Sequence, residues 1–383
     1  MSYFTEERLM IQEAARKFSH DEVFPLANKL DPEKGLIPPS LFDKLGDAGY
    51  FGITVPEEYG GLGLGCFEYC LIAEEMSRSW MSVASLIARG NSMLTQESIS
   101  SEMKNELLPK VAVGKFLIAL AMSEPNAGSD VTNITCRAVK DGDSWVITGN
   151  KYWCTFADGA DSIMVIARTG KMDPKARHKG LSAFLVDKPR GQLPENVKGN
   201  KINKIGYFGW DTFELAFDGC RVPAEKMVGE EGKAFYMISG FLESARAHTA
   251  ARAIGLARGA LEDAQEYCME RRQFGQAIGE FQAIRFKIAE MATQIEASRQ
   301  LMYFVADAID TGNRCDLQAS MVKLLASEMS EKVTSEALQI FGGAGYTTDY
   351  AVERYWRDAR LTTIFEGTSE IQKRIISDKI LGR

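Results

Sequence analysis

The sequence is poor in histidine, has no excess of basic charge and contains no long apolar run. Its three histidines, His20, His178 and His248, are spread along 383 residues and form no ligand cluster. The seven cysteines are scattered too. Cys66 and Cys70 have the i,i+4 spacing a helical metal pair would use. With the histidines dispersed, the pattern reads as reduced, mostly buried thiols in a cytoplasmic compartment, and no metal site is expected. Lysine and arginine total 45 against 52 acidic residues, a formal net charge of −7. That balance argues against a general nucleic-acid binder but leaves room for a local basic pocket. The longest apolar runs, such as FLIALAM from Phe116 to Met122, are too short to cross a bilayer, so no membrane span is expected. The opening MSYFTEERLMIQEAARKF passes straight into an amphipathic helical pattern and has the character of neither a secretory signal nor a transit peptide. No internal repeat or low-complexity tract is evident.

What is present is a globular composition, 45% hydrophobic and 25% charged, long enough for two or three domains. Residues 1–115 carry helical periodicity, with Ile11, Ala15 and Phe18 and then Leu41, Leu45 and Ala48 at three- and four-residue spacing. VPEEYGGLGLG (55–65) interrupts them as a helix–helix loop; its G-x-G spacings lack the strand–helix context of a dinucleotide fingerprint. Residues 116–232 change texture to short β-rich runs punctuated by Gly, Asp and Pro, a mainly antiparallel, barrel-like β domain. KMDPKARHKG (171–180) reads as a solvated loop. Residues 233–383 are helical again. ARAIGLARGALEDA is rich in small residues that permit close helix packing; Ile284, Ile288, Met291 and Ile295 form one stripe, and Met321, Leu325 and Met329 another. Long helices with short loops predict a C-terminal four-helix bundle. The fold class is thus mainly α with a middle β domain.

Several short segments could hold a ligand. ALAMSEPNAGSD (119–130) ends an apolar run in a tight turn, whose closely spaced N–H groups suit a polar ring edge or a phosphate as well as an ordinary strand end. In GNKYWCTFADGAD, Trp153 and Thr155 share one face of an extended segment, a flat ring beside a hydroxyl; a core tryptophan is the plain alternative. ERRQFGQAIGEFQ supplies Arg271, Phe274 and Gln282, and QIFGGAGY supplies Gln339, Gly342 and Gly343, an arginine and a glycine-rich turn fit for a diphosphate. In LTTIFEGTSEIQ a lone carboxylate, Glu366, follows the apolar Ile364–Phe365 pair and precedes a helix start. Ser369 and Gln372 have capping-box spacing there. Glu366 is then either a helix-leading acid or a base in an apolar place beside free backbone N–H groups. Desolvation would raise its pKa and the helix N-terminus would lower it.

Taken together, VPEEYGGLGLG, SEPNAGSD, GNKYWCT, DTFELAFDGCRVP, ERRQFGQ, QIFGGAGY, ERYWRDAR and IFEGTSEIQ stand in the order and at the spacing of the acyl-CoA dehydrogenase family, which this chain resembles over essentially its whole length. The resemblance implies that family's fold, one FAD per subunit, and a homodimer or a homotetramer built as a dimer of dimers. It implies FAD-dependent α,β-dehydrogenation of an acyl-CoA, with electrons passed to an electron-transfer flavoprotein. By the same resemblance, Glu366 is the catalytic base. Met122 and Ser123 would border the flavin, Ser129 would touch flavin and CoA arm, Trp153 would cover the ring, and Thr155 would bond near its N5 edge. Arg271, Phe274 and Gln282 would hold the diphosphate and adenosine end, with Gln339, Gly342 and Gly343 contributed by a neighbouring subunit. Thr368 and Glu370 would complete the cofactor site, and Glu243, Arg246 and Gly367 would contact the substrate. Some relatives carry the base on a bundle helix, where this chain has Ala245.

Other readings keep the fold but change the electron exit, to an oxidase or an enoyl-CoA reductase, or keep only a CoA- or flavin-binding subunit. The intact Glu366, Trp153, Thr155 and Arg271 argue against the last. Cys154, Phe156 and Phe365 depart from the family pattern without removing a reactive group. The stretch from Ala84 to Ser101 aligns poorly and points to an unusual acyl group. Arg89 lies within it: in the pocket it would pair with a distal carboxylate, and on a helix face it would be solvated.

Overall fold

A computed structural model describes residues 3–382. Helices α1 (Glu6–Phe18), α2 (Phe24–Leu30), α3 (Pro39–Asp47), α4 (Cys66–Ser79), α5 (Met81–Ile87) and α6 (Ser101–Ala112) come first. The Thr5 hydroxyl caps α1 by accepting from the Arg8 N–H at 3.1 Å, with Glu6 and Glu7 in the first turn and Arg16 and Lys17 in the last, matching the helix dipole. Helix α4 is buried along nearly its whole length, the signature of a helix packed on several sides. All seven cysteines are buried and unbridged.

The middle of the chain folds into strands β1 (Ile118–Ala121), β2 (Arg137–Asp141), β3 (Ser144–Thr155) and β4 (Ser162–Arg168). They continue as β5 (Leu181–Asp187), β6 (Val197–Lys201), β7 (Thr212–Pro223) and β8 (Met227–Val228). The eight-stranded sheet runs β6-β7-β3-β2-β4-β5-β8, with β1 beside β4. Pairing is antiparallel except where β4 meets β1 and β2. Strands β4 and β5 are buried on both faces, which their continuous apolar runs allow.

The remaining chain is α7 (Ala234–Glu270), a hairpin of β9 (Arg272–Gln273) and β10 (Gln276–Ala277), α8 (Gln282–Asp310), α9 (Asp316–Phe341), α10 (Ala351–Thr362) and α11 (Ser369–Leu381). Helices α7, α8 and α9 pack on one another, α10 and α11 pack on α9, and α4 packs against α7. The α8 stripe turns inward at Met291 and Ile295. The α9 stripe is different from the one the spacing predicts: Leu325 is 43% exposed, and the buried line is Val322, Ala326, Met329 and Val333, with Lys323 among them.

The approach is closest at two glycines of α7. A Cβ on Gly255 would lie 2.3 Å from the Glu74 carbonyl oxygen of α4, and one on Gly259 3.0 Å from the Arg78 carbonyl oxygen. Glu74 and Glu75, both enclosed, tie this crossing together: Arg299 meets Glu74 at 3.0 Å, Arg258 meets Glu75 at 2.5 Å, and Arg16 of α1 reaches Glu75 at 3.2 Å. Gly255→Val is expected to destabilise the protein by about 1–3 kcal/mol, because the backbone oxygen facing it has nowhere to retreat. Urea unfolding checks this, and an unchanged midpoint would contradict the contact.

Candidate active site

Glu366 lies in the turn between α10 and α11 with φ of 52°, left-handed for a residue with a side chain, and Gly367 follows at φ 89°. The turn is held from below. Lys323, fully buried on α9, donates to the carbonyls of Thr362 at 2.8 Å and Gly367 at 2.6 Å. Burial pushes the Lys323 pKa down to about 8, against the pull of Glu366. Gln372 donates to the Gly367 carbonyl at 3.2 Å. A Cβ on Gly367 would sit 2.6 Å from the Gln372 amide nitrogen, so both space and φ require glycine there. The helix cap differs by one residue from the predicted one: the Thr368 hydroxyl, not that of Ser369, accepts the Ile371 N–H at 3.2 Å. Residue 368 has the extended conformation an N-cap needs, whereas Ser369 is already helical and buried. Among the described residues, the N–H groups of Glu366 and Gly367 donate to nothing.

The carboxylate turns inward. Its Oε2 accepts from Arg252 Nη2 at 2.7 Å and from the Thr249 hydroxyl, both on α7. Arg252 also donates to Ser85 Oγ at 2.7 Å, and its guanidinium lies 4.8 Å from the Phe365 ring centroid. The Glu366 side chain stays 40% accessible although it is surrounded by protein groups. Burial acts to raise its pKa; the Arg252 guanidinium, the hydrogen bonds from Thr249 and Arg252, and Lys323 outweigh burial and hold it below the ordinary carboxylate value.

A second group of candidate residues lies on β1, β3 and the turn between β1 and β2. The turn after β1 holds Met122, Ser123 and Ser129, and Tyr152 of β3 donates to the Ser123 carbonyl at 2.8 Å. Glu124, paired with buried Lys151 at 2.9 Å, accepts from the N–H groups of Thr135 and Cys136 and so fixes this turn. The Gly128 and Ser129 N–H groups have no partner among the described residues. Trp153 is 56% exposed at φ 63°, on a bulge in the β3–β7 ladder, while Cys154 points inward. Thr155 faces outward beside Trp153, its hydroxyl 3.0 Å from that of Thr212. An uncovered indole, an adjacent hydroxyl and free N–H groups fit a planar, polar-edged ring.

On the other flank, Tyr207 and Trp210 pack edge to face at 5.1 Å, and Phe365 lies 6.0 Å from Tyr207. Lys204 donates to the carbonyls of Tyr207 and Trp210, and the buried Asp358 accepts the Tyr207 N–H at 2.6 Å. Arg89 is half-buried over the Trp210 ring at 5.0 Å, with its Nε enclosed and unpartnered, so it is not a solvated surface arginine. Glu243 and Arg246 lie on α7 near Cys315, and burial lowers the Arg246 pKa against Glu243.

The remaining sequence-predicted residues gather elsewhere. Arg271, Phe274 and Gln282 lie where α7 passes into α8; Gln339, Gly342 and Gly343 end α9. The two groups meet at one end of the helical bundle, where Tyr267 stacks on Phe341 at 4.1 Å. That end is about 28 Å along α7 from Arg252. Phe274 is 94% exposed, and nothing lies within 4 Å of where a Cβ would stand on Gly342 or Gly343. Thr368 serves as the α11 cap, and Glu370 is exposed two residues on. Sequence reasoning missed Thr249, Arg252, Lys323 and Tyr207. Arg252 and Lys323 did leave a signal, as charges inside otherwise small or apolar helix faces.

The chain therefore presents an inward carboxylate at a helix start and, on its β domain, an exposed indole and free N–H groups fit for a flat heterocycle. Comparison with known proteins agrees with that pairing. Sequence models for the N-terminal, middle and C-terminal domains of acyl-CoA dehydrogenase match residues 5–115, 119–220 and 232–381. The chain belongs to the acyl-CoA dehydrogenase family, which is flavin-dependent. It is 40% identical to (2S)-methylsuccinyl-CoA dehydrogenase of Cereibacter sphaeroides, over 98% of this chain and 70% of that one. It is 38% identical to an acyl-CoA dehydrogenase of Bacillus subtilis strain 168, over 99% of each. The structure of butyryl-CoA dehydrogenase from Megasphaera elsdenii superposes with a TM-score of 0.90 at 33% identity, over 99% of both chains.

Replacing Arg252 by Gln leaves burial as the main influence on Glu366, so the carboxyl pKa rises. The acidic limb of the kcat/KM pH profile is expected to move to higher pH. A limb that stays in place would mean that the guanidinium does not set the ionisation of Glu366.

Proposed function

We propose that this chain catalyses FAD-dependent α,β-dehydrogenation of an acyl-CoA thioester to the 2-enoyl thioester, with Glu366 removing the α-proton. The observation that carries this reading is the Glu366 turn: a strained backbone with its carboxylate directed inward, where an ordinary loop acid would face solvent. The α-proton of a thioester is a weak acid, and its removal needs donors aimed at the developing oxyanion. The unpaired Glu366 and Gly367 N–H groups at the start of α11 are suited to that task. When bound, FAD supplies an acceptor for the β-hydride and its electron pair. Met122, Ser123, Ser129, Trp153 and Thr155 would hold and cover its ring, with Thr368 and Glu370 near the same helix start. Glu243, Arg246 and Gly367 would contact the thioester arm.

Arg271, Phe274, Gln282, Gln339, Gly342 and Gly343 lie at the far end of the helical bundle, about 28 Å along α7 from Arg252. They would serve the diphosphate and adenosine of FAD on a neighbouring subunit of a homodimer or homotetramer. The exposed Phe274 supports a partner there. We assign residues 1–115, 116–232 and 233–383 as the three domains, and an electron-transfer flavoprotein as the electron acceptor. No helix among the described residues is long and apolar enough to cross a membrane; the compartment we propose is the cytoplasm.

The test is a panel of acyl-CoA esters with an artificial electron acceptor, run beside Glu366→Gln. The variant is expected to lose about 10²- to 10⁴-fold in kcat while retaining flavin absorbance. Full activity in the variant would refute the role given to Glu366.

A further inference from the structure

We propose that Tyr207 is the positioning residue of the base. Its phenol, through Ser85, fixes the guanidinium from which Glu366 accepts, and its ring fixes Phe365, which precedes Glu366 in the chain. This rests on the dehydrogenase reading above and adds to it the residue that sets Glu366 against the thioester.

Tyr207 lies in the connection from β6 to β7 with φ of 58°. That conformation is costly for an aromatic residue and persists only where the surroundings impose it. Asp358 of α10 accepts the Tyr207 N–H at 2.6 Å. Lys204 of the same loop donates to the Tyr207 carbonyl at 2.7 Å and to that of Trp210 at 2.9 Å. Between these two carbonyls, Ser82 donates to that of Phe208, and the Ile37 N–H to that of Gly209 at 2.7 Å. A strained residue pinned along its whole backbone has its side chain aimed by the fold.

The side chain is buried and makes two attachments. The phenol is hydrogen-bonded to Ser85 of α5. Ser85 gives its own proton to the Met81 carbonyl at 3.0 Å and accepts from Arg252 Nη1 at 2.7 Å, so the phenol is the donor. Burial raises the Tyr207 pKa against the pull of Arg252 and Arg89, which keeps that proton in place. With both lone pairs of Ser85 Oγ taken, Arg252 Nη1 has one fixed seat, and Nη2 meets Glu366 Oε2 at 2.7 Å. The ring is the second attachment. It meets Phe365 edge to face, with 6.0 Å between centroids and 88° between planes. One side chain thus supports Glu366 both at its carboxylate and at the residue before it.

The same segment reaches the candidate ring site. The Phe156 N–H donates to the Asp211 carbonyl at 2.8 Å, and the Thr212 hydroxyl lies 3.0 Å from that of Thr155. Residues 207–212 therefore link the base to the residues proposed to hold the flavin ring. Displacing a reacting group by about 1 Å costs about 100-fold in rate, so such a link bears on the chemical step more than on binding.

The test reads the base alone. Acetyl-CoA has an α-carbon and no β-carbon, so on the oxidised holoenzyme in deuterium oxide it undergoes exchange only. An α-proton passes to Glu366, and a deuteron returns to the α-carbon. The mass of the acetyl group follows this. Tyr207→Phe keeps the ring and is expected to lose about 5-fold in exchange rate at saturation. Tyr207→Leu loses both attachments and is expected to lose about 100-fold. In both, flavin absorbance and the half-saturating acetyl-CoA concentration should stay close to those of the wild type. In a Ser85→Ala background, Tyr207→Phe should cost nothing further, because the phenol has no seat left to hold. Wild-type exchange in both Tyr207 variants would overturn the proposal. So would a loss confined to half-saturation, which would make Tyr207 a wall of the substrate site. The full loss from Tyr207→Phe in the Ser85→Ala background would overturn it too, since the phenol would then act elsewhere. If Tyr207→Leu fails to fold or to hold flavin, Tyr207→Phe and the Ser85→Ala background decide. A wild type without exchange would refute the reading of Glu366 and this proposal with it. Wild-type exchange that Glu366→Gln abolishes upholds that reading, and unimpaired Tyr207 variants then count against this proposal alone.

Discussion

Where α7 crosses α4, the backbones come so close that the Glu74 carbonyl occupies the space a side chain on Gly255 would need. The rest of the site hangs from that crossing. Ser77 of α4 donates to the Arg252 carbonyl at 2.6 Å, one turn before the glycine, which fixes the height of Arg252 along α7. The same contact presses Glu74 and Glu75 against Arg258 and Arg299 in a buried network. Such a network is strongly destabilising to break at one member, since the partner is then left charged and unpaired. The small side chains of α7 thus determine where a buried guanidinium can stand.

Above that guanidinium, Glu366 is held in a conformation that only surrounding structure can maintain. Lys323 and Gln372 grip the Gly367 carbonyl, and the turn keeps its own N–H groups unpaired. Unsatisfied donors at a helix start and strain at φ 52° are both costs to folding, and their coincidence on one acid marks a site organised for a reaction. The guanidinium that stabilises this arrangement also makes Glu366 a weaker base than burial alone would leave it.

Much of the order was legible in the sequence. The alternation through Trp153, Cys154 and Thr155 places two residues outward and one inward even across the bulge, because a side-chain period of two survives on the short stretch beyond it. The small residues of α7 announced close packing. The α9 stripe was misread because hydrophobic spacing alone does not reveal which face the neighbouring helices cover; Leu325 is left outside while Lys323 is buried. The α11 cap fell one residue early, on a hydroxyl that competes with its neighbour for the same N–H groups. Arg89 had two readings of equal local form, and only the position of Trp210 separated them.

The sequence by itself determined the succession of helices, sheet and helices, since periodicity and turn residues act over a few positions. It also singled out Glu366, because an acid between an apolar pair and a helix start is a local feature. Only the tertiary structure decided what that acid experiences. Arg252 stands 114 positions away in the chain and Thr249 117, and the distances that lower the Glu366 pKa exist only once α7 lies beneath the turn. The placing of Arg89 and Arg252 around Tyr207 has the same origin: electrostatic interaction depends on separation in space, and chain order leaves that separation open.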